Sequence, residues 1–315
     1  MTEPAFIAGD WGTSHLRLAL CDAEGRALAE VQGPGAAGTR GEFAGVFDAL
    51  VHPWRDRHGA LPAMLCGMVG STIGWAEVPY VACPVQPKAV ARGCLALRDG
   101  AVRIVPGLSC RNRLGAPDVM RGEETQILGA LAGKPELHRG RHLLCLPGTH
   151  TKWAALEDGT VRDFLTAPTG EVYGLLAEHS VLVPRSANSA AASDRAAFGE
   201  GLAEFNRRPD SQILHRLFEC RSRRLTGELA EADAAPFLSG LLMASDVAGA
   251  LELFGDASGE RTVHLIGAPQ LTALYREALS RLGVDGHELD GSTASLAGLA
   301  HVHDILTASA AVHGA

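Results

Sequence analysis

The chain has 315 residues and a formal net charge of −8, and its 28 Lys and Arg residues are scattered along the sequence. This length favours two domains rather than one. The scattered basic residues argue against a nucleic-acid partner, which requires a basic patch or stripe. We identify no apolar run that approaches the ~20 residues of a membrane span and no basic leader before the first predicted strand. We therefore expect a cytoplasmic protein without a membrane partner.

The first part of the chain is predicted to begin with three short antiparallel strands and then to alternate helices with strands. The strand over 63–66 ends in the glycine-containing loop Met68–Ser71, at the carboxyl end of the strand, where open α/β sheets bind ligands. Strands are predicted at 5–10, 16–21, 26–32, 63–66, 78–85 and 102–106, and helices at 41–58 and 121–133.

The second part of the chain repeats this order, because a strand-rich segment comes first and helical patterns follow. Strands are predicted within 142–167 and at 261–267, and helices at 171–183, 196–205, 211–222, 236–254, 270–282 and 292–309. Strands that alternate with helices, in two halves that each begin with a meander, predict an α/β fold with two related sheets.

One hairpin signature occurs twice, at Phe6–Gly25 and at Leu143–Gly159. In each copy an apolar strand breaks at a Gly-Thr pair, a second apolar strand follows, and an acidic turn with glycine ends the unit. Glycine lets backbone N–H groups approach an anion, and neighbouring hydroxyls add donors. A tight hairpin turn would explain either copy alone, but the repetition favours a duplicated unit with two phosphate-binding turns.

The segment Gly33–Gly38 matches the GxGxxG pattern of dinucleotide-binding turns. That pattern requires a turn between two parallel strands joined through one helix. Because this segment follows the third strand of an antiparallel meander, we interpret it as a plain loop.

Asp10 ends the first strand immediately before the Gly-Thr bend. A carboxylate beside a phosphate is favourable only if a cation lies between them, so Asp10 is a candidate ligand of Mg²⁺, which prefers oxygen donors. The alternative is that Asp10 only caps the turn. Arg17 and Lys152, at the far ends of the two bends, are candidates for neutralising a transferred phosphoryl group, or else solvated hairpin residues.

Glu123 and Glu124 open the predicted helix that follows Arg121-Gly122. Phosphoryl transfer to a hydroxyl requires a carboxylate that orients the attacking oxygen and accepts its proton. Acidic residues are also common in the first turn of a helix because they interact favourably with its dipole. The residues alone leave both explanations open.

The order of these segments resembles the kinase branch of the actin, hexokinase and heat-shock ATPase superfamily. Asp10–Ser14 resembles its first phosphate motif, Pro147–Lys152 its second, and Leu265–Pro269 its adenosine motif, although the usual second glycine of the latter is Ala268 here. More closely, the segments DWGTSHLR, CGMVGS, MRGEETQ and LPGTHTKW, together with Thr169–Glu171, resemble the 2-dehydro-3-deoxygalactonokinase family. This resemblance covers nearly the whole chain.

The resemblance implies two related actin-like ATPase (ribonuclease H-like) domains with a cleft between them, over 1–135 and 136–315, with the last helix returning to the first domain. It implies ATP-dependent phosphorylation of a small sugar acid, 2-dehydro-3-deoxy-D-galactonate, at its C6 hydroxyl. The products would be the 6-phosphate and ADP, Mg²⁺ would be the metal, and the pathway would be galactonate catabolism.

The resemblance also implies roles for particular residues. The sugar kinases of this group carry a catalytic acid in the position of Glu123, and Glu124 beside it is the alternative. The implied catalytic residues are Glu123, Glu124, Asp10 and Lys152. The implied nucleotide-binding residues are Gly12, Thr13, Ser14, Gly148, Thr149, His150, Gly267 and Ala268. The implied substrate-binding residues are Met68, Val69, Gly70, Ser71, Arg121, Thr169, Gly170 and Glu171.

Two other functions remain open at this point. The chain would be another kinase of the superfamily, acting on a different sugar acid, an amino sugar or pantothenate, or a non-catalytic protein that uses nucleotide as a switch. The pair Glu123-Glu124 argues against the switch, which needs no base. The oligomeric state stays open, with a homodimer among the alternatives.

Overall fold

The structure is a computed structural model that describes residues 2–184, 195–208, 212–255 and 262–313, with side chains as far as residue 309. Strands and helices alternate in it, as the sequence predicts. The strands are β1 Pro4–Trp11, β2 His15–Asp22, β3 Ala27–Pro34, β4 Ala63–Gly67, β5 Val81–Ala82, β6 Leu95–Leu97, β7 Val102–Ile104, β8 Leu108–Arg111, β9 Pro117–Met120, β10 Arg141–Leu146, β11 Thr151–Glu157, β12 Thr160–Ala167, β13 Thr262–Gly267 and β14 Asp285–Asp290. The helices are α1 Ala36–Thr39, α2 Phe43–His58, α3 Pro87–Arg92, α4 Glu123–Gly133, α5 Thr169–His179, α6 Arg195–Asn206, α7 Ile213–Arg216, α8 Glu219–Thr226, α9 Ala234–Phe254, α10 Pro269–Ser280 and α11 Gly291–His313.

The first sheet has the strand order β3-β2-β1-β4-β7-β6. β1 and β2 pair antiparallel, as do β2 and β3, so the predicted meander is confirmed. β4 lies parallel to β1 on the other side, with Asp10 opposite Cys66, and β7 lies parallel to β4. Asp10 therefore ends β1 at the same sheet edge at which β4 ends.

The second sheet has the strand order β12-β11-β10-β13-β14. β13 lies parallel to β10, with Leu143 opposite Val263. Both sheets thus have three consecutive strands followed by a strand parallel to the first of the three. This shared order agrees with the two related sheets predicted from the repeated hairpin signature.

The core of the first sheet explains the apolar sequences of β1 and β4, whose residues are mostly buried. Trp11 and Phe47 are fully buried, and the Trp11 ring lies 5.1 Å from that of Phe43 on α2. Burying such a side chain contributes roughly 1.5–3 kcal/mol. This packing keeps β1, and with it the turn that follows Trp11, in a fixed place on the sheet.

The chain divides into two units. The first contains 1–141, 154–164 and 289–315, and the second contains 142–153 and 165–288. The sequence prediction placed one boundary at 135–136. Within the first unit, α11 packs against α4 so closely that a Cβ at Gly298 would collide with the carbonyl of Thr125.

One helical stretch, Glu231–Phe254, is long and apolar enough by length and composition to cross a membrane. The sequence analysis expected no such run. More than half of this stretch is buried inside the structure, and core helices of globular proteins share this composition. Asp246, near its centre, accepts hydrogen bonds from three other segments of the second unit.

The sequence prediction was wrong in several element bounds. The strand expected over 78–85 is reduced to β5, because Pro79 and Pro84 cannot donate to a sheet ladder. β5 belongs to a small sheet, β5-β8-β9, that the analysis missed. The helix expected over 211–222 is broken into α7 and α8, and the one expected over 171–183 ends at His179. Residues 211 and 261, at the predicted starts of two elements, lie outside the described residues.

Candidate active site

Asp10 lies at the carboxyl end of β1, next to the turn that contains Gly12 and Thr13. The Ser295 hydroxyl, on α11, donates a hydrogen bond to its carboxylate at 3.4 Å. Burial raises the pKa of Asp10 above its ordinary value, while Arg17, opposite it on β2, and Ser295 act in the other direction. A cation at this carboxylate would offset the same desolvation.

The start of α4 approaches Asp10 through a contact between two glycines. Gly67 follows β4 with φ of +88°, and a Cβ there would lie 2.8 Å from the Trp11 carbonyl and 3.4 Å from the Asp10 carboxylate. A Cβ at Gly122, which has φ of +110°, would lie 3.6 Å from the Gly67 Cα. Both backbones adopt conformations that favour glycine. The absence of side chains lets the first turn of α4 lie beside the end of β1.

Glu124 is fully buried at the start of α4. Its carboxylate accepts hydrogen bonds from the Gly122 N–H at 2.6 Å and from the Thr125 hydroxyl at 3.0 Å. Burial, followed by the nearby charge of Glu123, raises the pKa of Glu124 from 4.5 to about 8. Glu124 therefore holds a proton at neutral pH.

Glu123, in contrast, is partly exposed. Its carboxylate accepts a hydrogen bond from the backbone N–H of Arg121 at 3.2 Å. Burial raises the pKa of the Cys66 thiol at the end of β4, and the charges of Asp10, Glu124 and Glu123 add to this effect. The structure thus brings together the three carboxylates that the sequence analysis singled out in this unit.

The predicted substrate loop Met68–Ser71 forms a short 3-10 turn beside these carboxylates, closed by a hydrogen bond from the Ser71 hydroxyl to the Met68 carbonyl at 2.7 Å. Val69 and Gly70 are buried in it. A Cβ at Gly70 would lie 2.9 Å from Nη1 of Arg121. The predicted substrate residues 68–71 and Arg121 are therefore neighbours.

The guanidinium of Arg121 is only partly satisfied by the described part of the protein. Its Nη2 donates to the Val78 carbonyl at 2.7 Å, and the group lies over the Tyr80 ring, 4.5 Å from the ring centroid. Its Nε and Nη1 are buried and have no hydrogen-bond partner among the described residues. Buried donors are normally paired, so these two donors are suited to an anionic ligand.

The first Gly-Thr turn is braced by the GxGxxG-like segment. Ala36 N–H donates to the Gly12 carbonyl at 2.9 Å and Ala37 N–H to the Thr13 carbonyl at 3.1 Å. Thr13 and Ser14 are exposed at the tip of the turn. The segment follows an antiparallel strand, as predicted, which argues against a dinucleotide-binding turn. The prediction of a plain loop was wrong, because the segment contains the end of β3 and most of the four-residue helix α1.

The second Gly-Thr turn packs directly on the start of α5. The Glu171 N–H donates to the Thr149 carbonyl at 3.0 Å, and a Cβ at Gly170 would lie 2.5 Å from the Gly148 carbonyl. The side chains of His150 and Glu171, both half exposed, pair at 2.8 Å. The predicted nucleotide residues 148–150 and the predicted substrate residues 169–171 therefore form one local structure.

Lys152 is buried in the second sheet, next to the second turn. Its ammonium donates to the Thr166 hydroxyl on β12 at 3.0 Å. Because side chains alternate along a strand, Lys152 points to the opposite face of β11 from Thr151 and Trp153.

Asp246 on α9 is a site residue that the sequence analysis missed. It accepts hydrogen bonds from the Trp153 indole at 2.8 Å, the Thr169 hydroxyl at 2.7 Å and the Tyr275 hydroxyl at 2.6 Å. Burial raises the pKa of Asp246, and the three hydrogen bonds oppose this effect. No local sequence signal marks it, because its partners lie far away along the chain.

A cavity of about 380 Å³ lies within the second unit beside this network. Its volume falls in the range of small-molecule sites. Gly267 lies behind the second turn, since a Cβ there would be 3.4 Å from the Pro147 carbonyl, and Ala268 caps α10. The lining residues include Gly148, Thr169, Gly170, Tyr173, Met243, Gln270 and Tyr275.

The chain matches the sequence model of the 2-keto-3-deoxy-galactonokinase family over residues 10–302. It is 38% identical to a protein of Rhizobium meliloti (strain 1021) named probable 2-dehydro-3-deoxygalactonokinase, over 95% of this chain and 96% of that protein. It is 33% identical to the 2-dehydro-3-deoxygalactonokinase of Escherichia coli (strain K12), over 93% of this chain and 96% of that protein.

Among solved structures, one from Sinorhizobium meliloti, assigned to 2-dehydro-3-deoxygalactonokinase, superposes with a TM-score of 0.84 at 36% identity, covering 96% of this chain and 99% of that one. The activator of 2-hydroxyisocaproyl-CoA dehydratase from Clostridium difficile with bound ADPNP superposes with a TM-score of 0.52 at 13% identity, covering 96% of both chains. At that identity the likeness concerns the fold alone.

The two sheets of matching strand order, each with a Gly-Thr turn after its first strand, define an α/β protein of the actin-like ATPase and sugar-kinase fold, as the sequence predicts. Within that class, the chain belongs to the 2-keto-3-deoxy-galactonokinase family. It is therefore an enzyme of the kinase class.

The protonated state of Glu124 predicts a pH-dependent stability. Between pH 4.5 and about 8 the unfolded chain ionises this carboxyl while the folded chain keeps it protonated, so the free energy of unfolding falls as the pH rises through this window. Glu124→Gln removes the titration and can keep both hydrogen bonds. As the pH rises from 5 to 8, the free energy of unfolding of the variant should increase relative to that of wild type by at least about 1.4 kcal/mol, the equivalent of a change of one in pKa.

Urea unfolding at several pH values measures this difference. Glu136→Gln, at a more exposed glutamate of the same unit, is the control and should follow the wild-type curve. Parallel curves for wild type and Glu124→Gln would contradict the assignment of a protonated Glu124.

Proposed function

We propose that the protein transfers the γ-phosphoryl group of ATP to the C6 hydroxyl of 2-dehydro-3-deoxy-D-galactonate, giving the 6-phosphate and ADP, in galactonate catabolism. Membership of the family supports the sugar acid as substrate. The observation that carries the proposal is the convergence of Asp10, Glu123 and Arg121 around the carboxyl end of β4. A sugar-acid kinase requires a carboxylate that accepts the proton of the substrate hydroxyl and a cationic group that binds the substrate carboxylate. A cytoplasmic location for such a metabolic enzyme is part of the proposal.

Glu123 is the residue that we propose as proton acceptor. In the reaction the C6 oxygen forms a bond to the γ-phosphorus, the bond between that phosphorus and the bridging oxygen of ADP breaks, and the hydroxyl proton passes to the Glu123 carboxylate. Glu123 is accessible, whereas Glu124 is fully buried and already holds a proton at neutral pH because its pKa is about 8. A group that is already protonated cannot accept the substrate proton.

Arg121 is the residue that we propose for the substrate carboxylate. Guanidinium groups bind carboxylates through charge-assisted hydrogen bonds, and the Nε and Nη1 of Arg121 have no partner among the described residues. The third nitrogen of the guanidinium, Nη2, donates to the Val78 carbonyl, and the guanidinium lies over the Tyr80 ring. The loop Met68–Ser71 beside it would contribute backbone donors to the same ligand.

The two Gly-Thr turns are proposed to bind the phosphates of ATP, through residues 12–14 in the first unit and residues 148–150 in the second. Lys152 adds positive charge near the second turn. The cavity beside Gly267 and Ala268 is proposed to hold the adenosine. Thr169 and Gly170 line this cavity, and the Glu171 N–H is already bonded to Thr149. We therefore propose that residues 169–171, which the sequence predicts to bind the sugar acid, belong to the nucleotide site instead.

Asp10 is the residue that would hold Mg²⁺. The site fits this ion, because Asp10 offers a desolvated carboxylate at the phosphate turn and Mg²⁺ is usually held by one or two carboxylates together with substrate phosphates and water. Among the described residues, no cluster of three or more His, Cys, Asp or Glu side chains could hold a metal by itself. When bound, Mg²⁺ would supply charge neutralisation on the phosphates.

The two glutamates of α4 are expected to respond differently to amide substitution. Glu123→Gln should bind ATP normally and lose turnover by roughly 10²–10⁴-fold, the usual contribution of a positioned general base. Glu124→Gln should keep most of the turnover, because glutamine resembles the protonated carboxyl that it replaces. Steady-state turnover at saturating substrates, with ADP binding as the folding control, measures both. If Glu124→Gln shows the larger loss, Glu124 is the proton acceptor instead.

The substrate assignment is tested by ADP release over a panel of compounds at equal concentration. We expect turnover with 2-dehydro-3-deoxygalactonate, slower turnover with the gluconate epimer, and none with galactose, glucose or glycerol, because a buried guanidinium without its carboxylate partner disfavours neutral sugars. Arg121→Gln should raise the KM for the sugar acid by roughly 10-fold or more and leave the KM for ATP unchanged.

Arg111→Gln is the matched control, because Arg111 also donates to a backbone carbonyl, at 2.7 Å, but is exposed. Faster turnover with a neutral sugar or with pantothenate would overturn the substrate assignment but would still support a kinase. ATP binding without ADP release on any compound would favour a nucleotide-gated binding protein.

A further inference from the structure

We propose that Asp246 is a positioning residue for nucleotide binding, which holds the second Gly-Thr turn, the start of α5 and α10 around the cavity of the second unit. The inference rests on the proposed function in one respect, that this cavity takes the nucleotide. Asp246 itself is not among the residues that line the cavity. Its effect is therefore exerted through the groups that it binds.

The hydrogen bonds of Asp246 reach three separate segments of the chain. One carboxylate oxygen accepts from the Trp153 indole at 2.8 Å, and the other accepts from Thr169 at 2.7 Å and Tyr275 at 2.6 Å. The Tyr275 hydroxyl also bonds the Thr151 hydroxyl at 2.8 Å. One side chain thus joins β11, the first residue of α5, and α10.

Each of these segments forms part of the cavity or of the turn beside it. Thr169 and Tyr275 line the cavity directly. Thr151 and Trp153 are fully buried on the strand that immediately follows the turn at residues 148–150. A shift at Asp246 would therefore displace the wall and the phosphate turn together.

The chemistry of the network indicates which substitutions are informative. The Trp153 indole can only donate, whereas the hydroxyls of Thr169 and Tyr275 can donate or accept. Asparagine at position 246 could accept from the indole with its oxygen and donate to both hydroxyls with its amide, after Tyr275 turns its proton toward Thr151. Alanine cannot make any of these bonds. Asp246→Asn is thus a conservative variant and Asp246→Ala a disruptive one.

The decisive experiment measures the dissociation constant for ADP by titration calorimetry, together with turnover and the KM for both substrates. Asp246→Ala should raise the dissociation constant for ADP by about 10-fold or more, which is the scale expected for losing hydrogen bonds to a charged group. Asp246→Asn should restore it to within about 3-fold of wild type, since it keeps the bonds. The KM for ATP should follow the dissociation constant, while the KM for the sugar acid stays within about 2-fold, because the residues proposed to bind the sugar acid, residues 68–71 and Arg121, belong to the first unit.

Two further variants separate positioning from a general loss of stability. Thr169→Val removes one bond without removing side-chain volume and should weaken ADP binding in the same direction, which keeps the test open if Asp246→Ala does not fold. Glu204→Gln, at a buried carboxylate of α6 that pairs with Arg216 at 3.0 Å, should lower the melting temperature without changing ADP binding.

The outcomes distinguish this inference from the proposed function. If wild type does not bind ADP, the proposed function is wrong and this inference falls with it. If wild type binds ADP and neither Asp246→Ala nor Thr169→Val weakens binding, only the positioning role is overturned. Equal losses in Asp246→Asn and Asp246→Ala would also overturn it, because they would show that the charge of Asp246, and not its hydrogen-bond geometry, is needed.

Discussion

The site in the first unit depends on one steric constraint, the close approach of three backbone segments at Gly67. This residue lies between the Trp11 carbonyl and Asp10 on one side and Gly122 on the other. A Cβ at Gly67 would collide with the Trp11 carbonyl at the end of β1. The constraint explains how residues more than a hundred positions apart in sequence share one site, and why a buried Glu124 lies next to an accessible Glu123: the first turn of α4 is pressed against the sheet on one side only.

In the second unit, a hydrogen-bonded carboxylate, Asp246, holds separate segments of the chain together. Its Gly-Thr turn is fixed by main-chain contacts with α5 and, through Thr151 and Trp153, by the network around Asp246. Desolvation raises the pKa values of Asp10, Glu124 and Asp246 alike, yet the three differ in their partners. Glu124 and Asp246 are surrounded by donors and stabilise local structure. Asp10 instead accepts a long hydrogen bond from Ser295 and interacts with the charge of Arg17 on β2, which leaves its carboxylate suited to a ligand.

Much of this arrangement could be predicted from sequence, because local signals encode it. Continuous apolar runs broken by Gly-Thr pairs indicated both meanders, and the motif residues 10–14 and 147–152 lie at the turns as expected. Arg121 was predicted only through the family resemblance, and its half-satisfied guanidinium depends on Val78 and Tyr80, which no sequence pattern connects to it. Asp246 was missed for the same reason. The prediction of a strand over 78–85 was wrong because Pro79 and Pro84, which cannot donate to a sheet ladder, limit the strand to Val81–Ala82.

The central claim is that phosphoryl transfer is directed to the terminal hydroxyl of a sugar acid, and analysis of the reaction product tests it most directly. Wild type, ATP, Mg²⁺ and 2-dehydro-3-deoxygalactonate are incubated, and the product is examined by correlated phosphorus and proton NMR. We expect one new phosphorus signal coupled to the pair of C6 methylene protons, formed in equal amount to ADP. A phosphorus signal coupled to the single proton of a secondary carbon, or only inorganic phosphate, would contradict it.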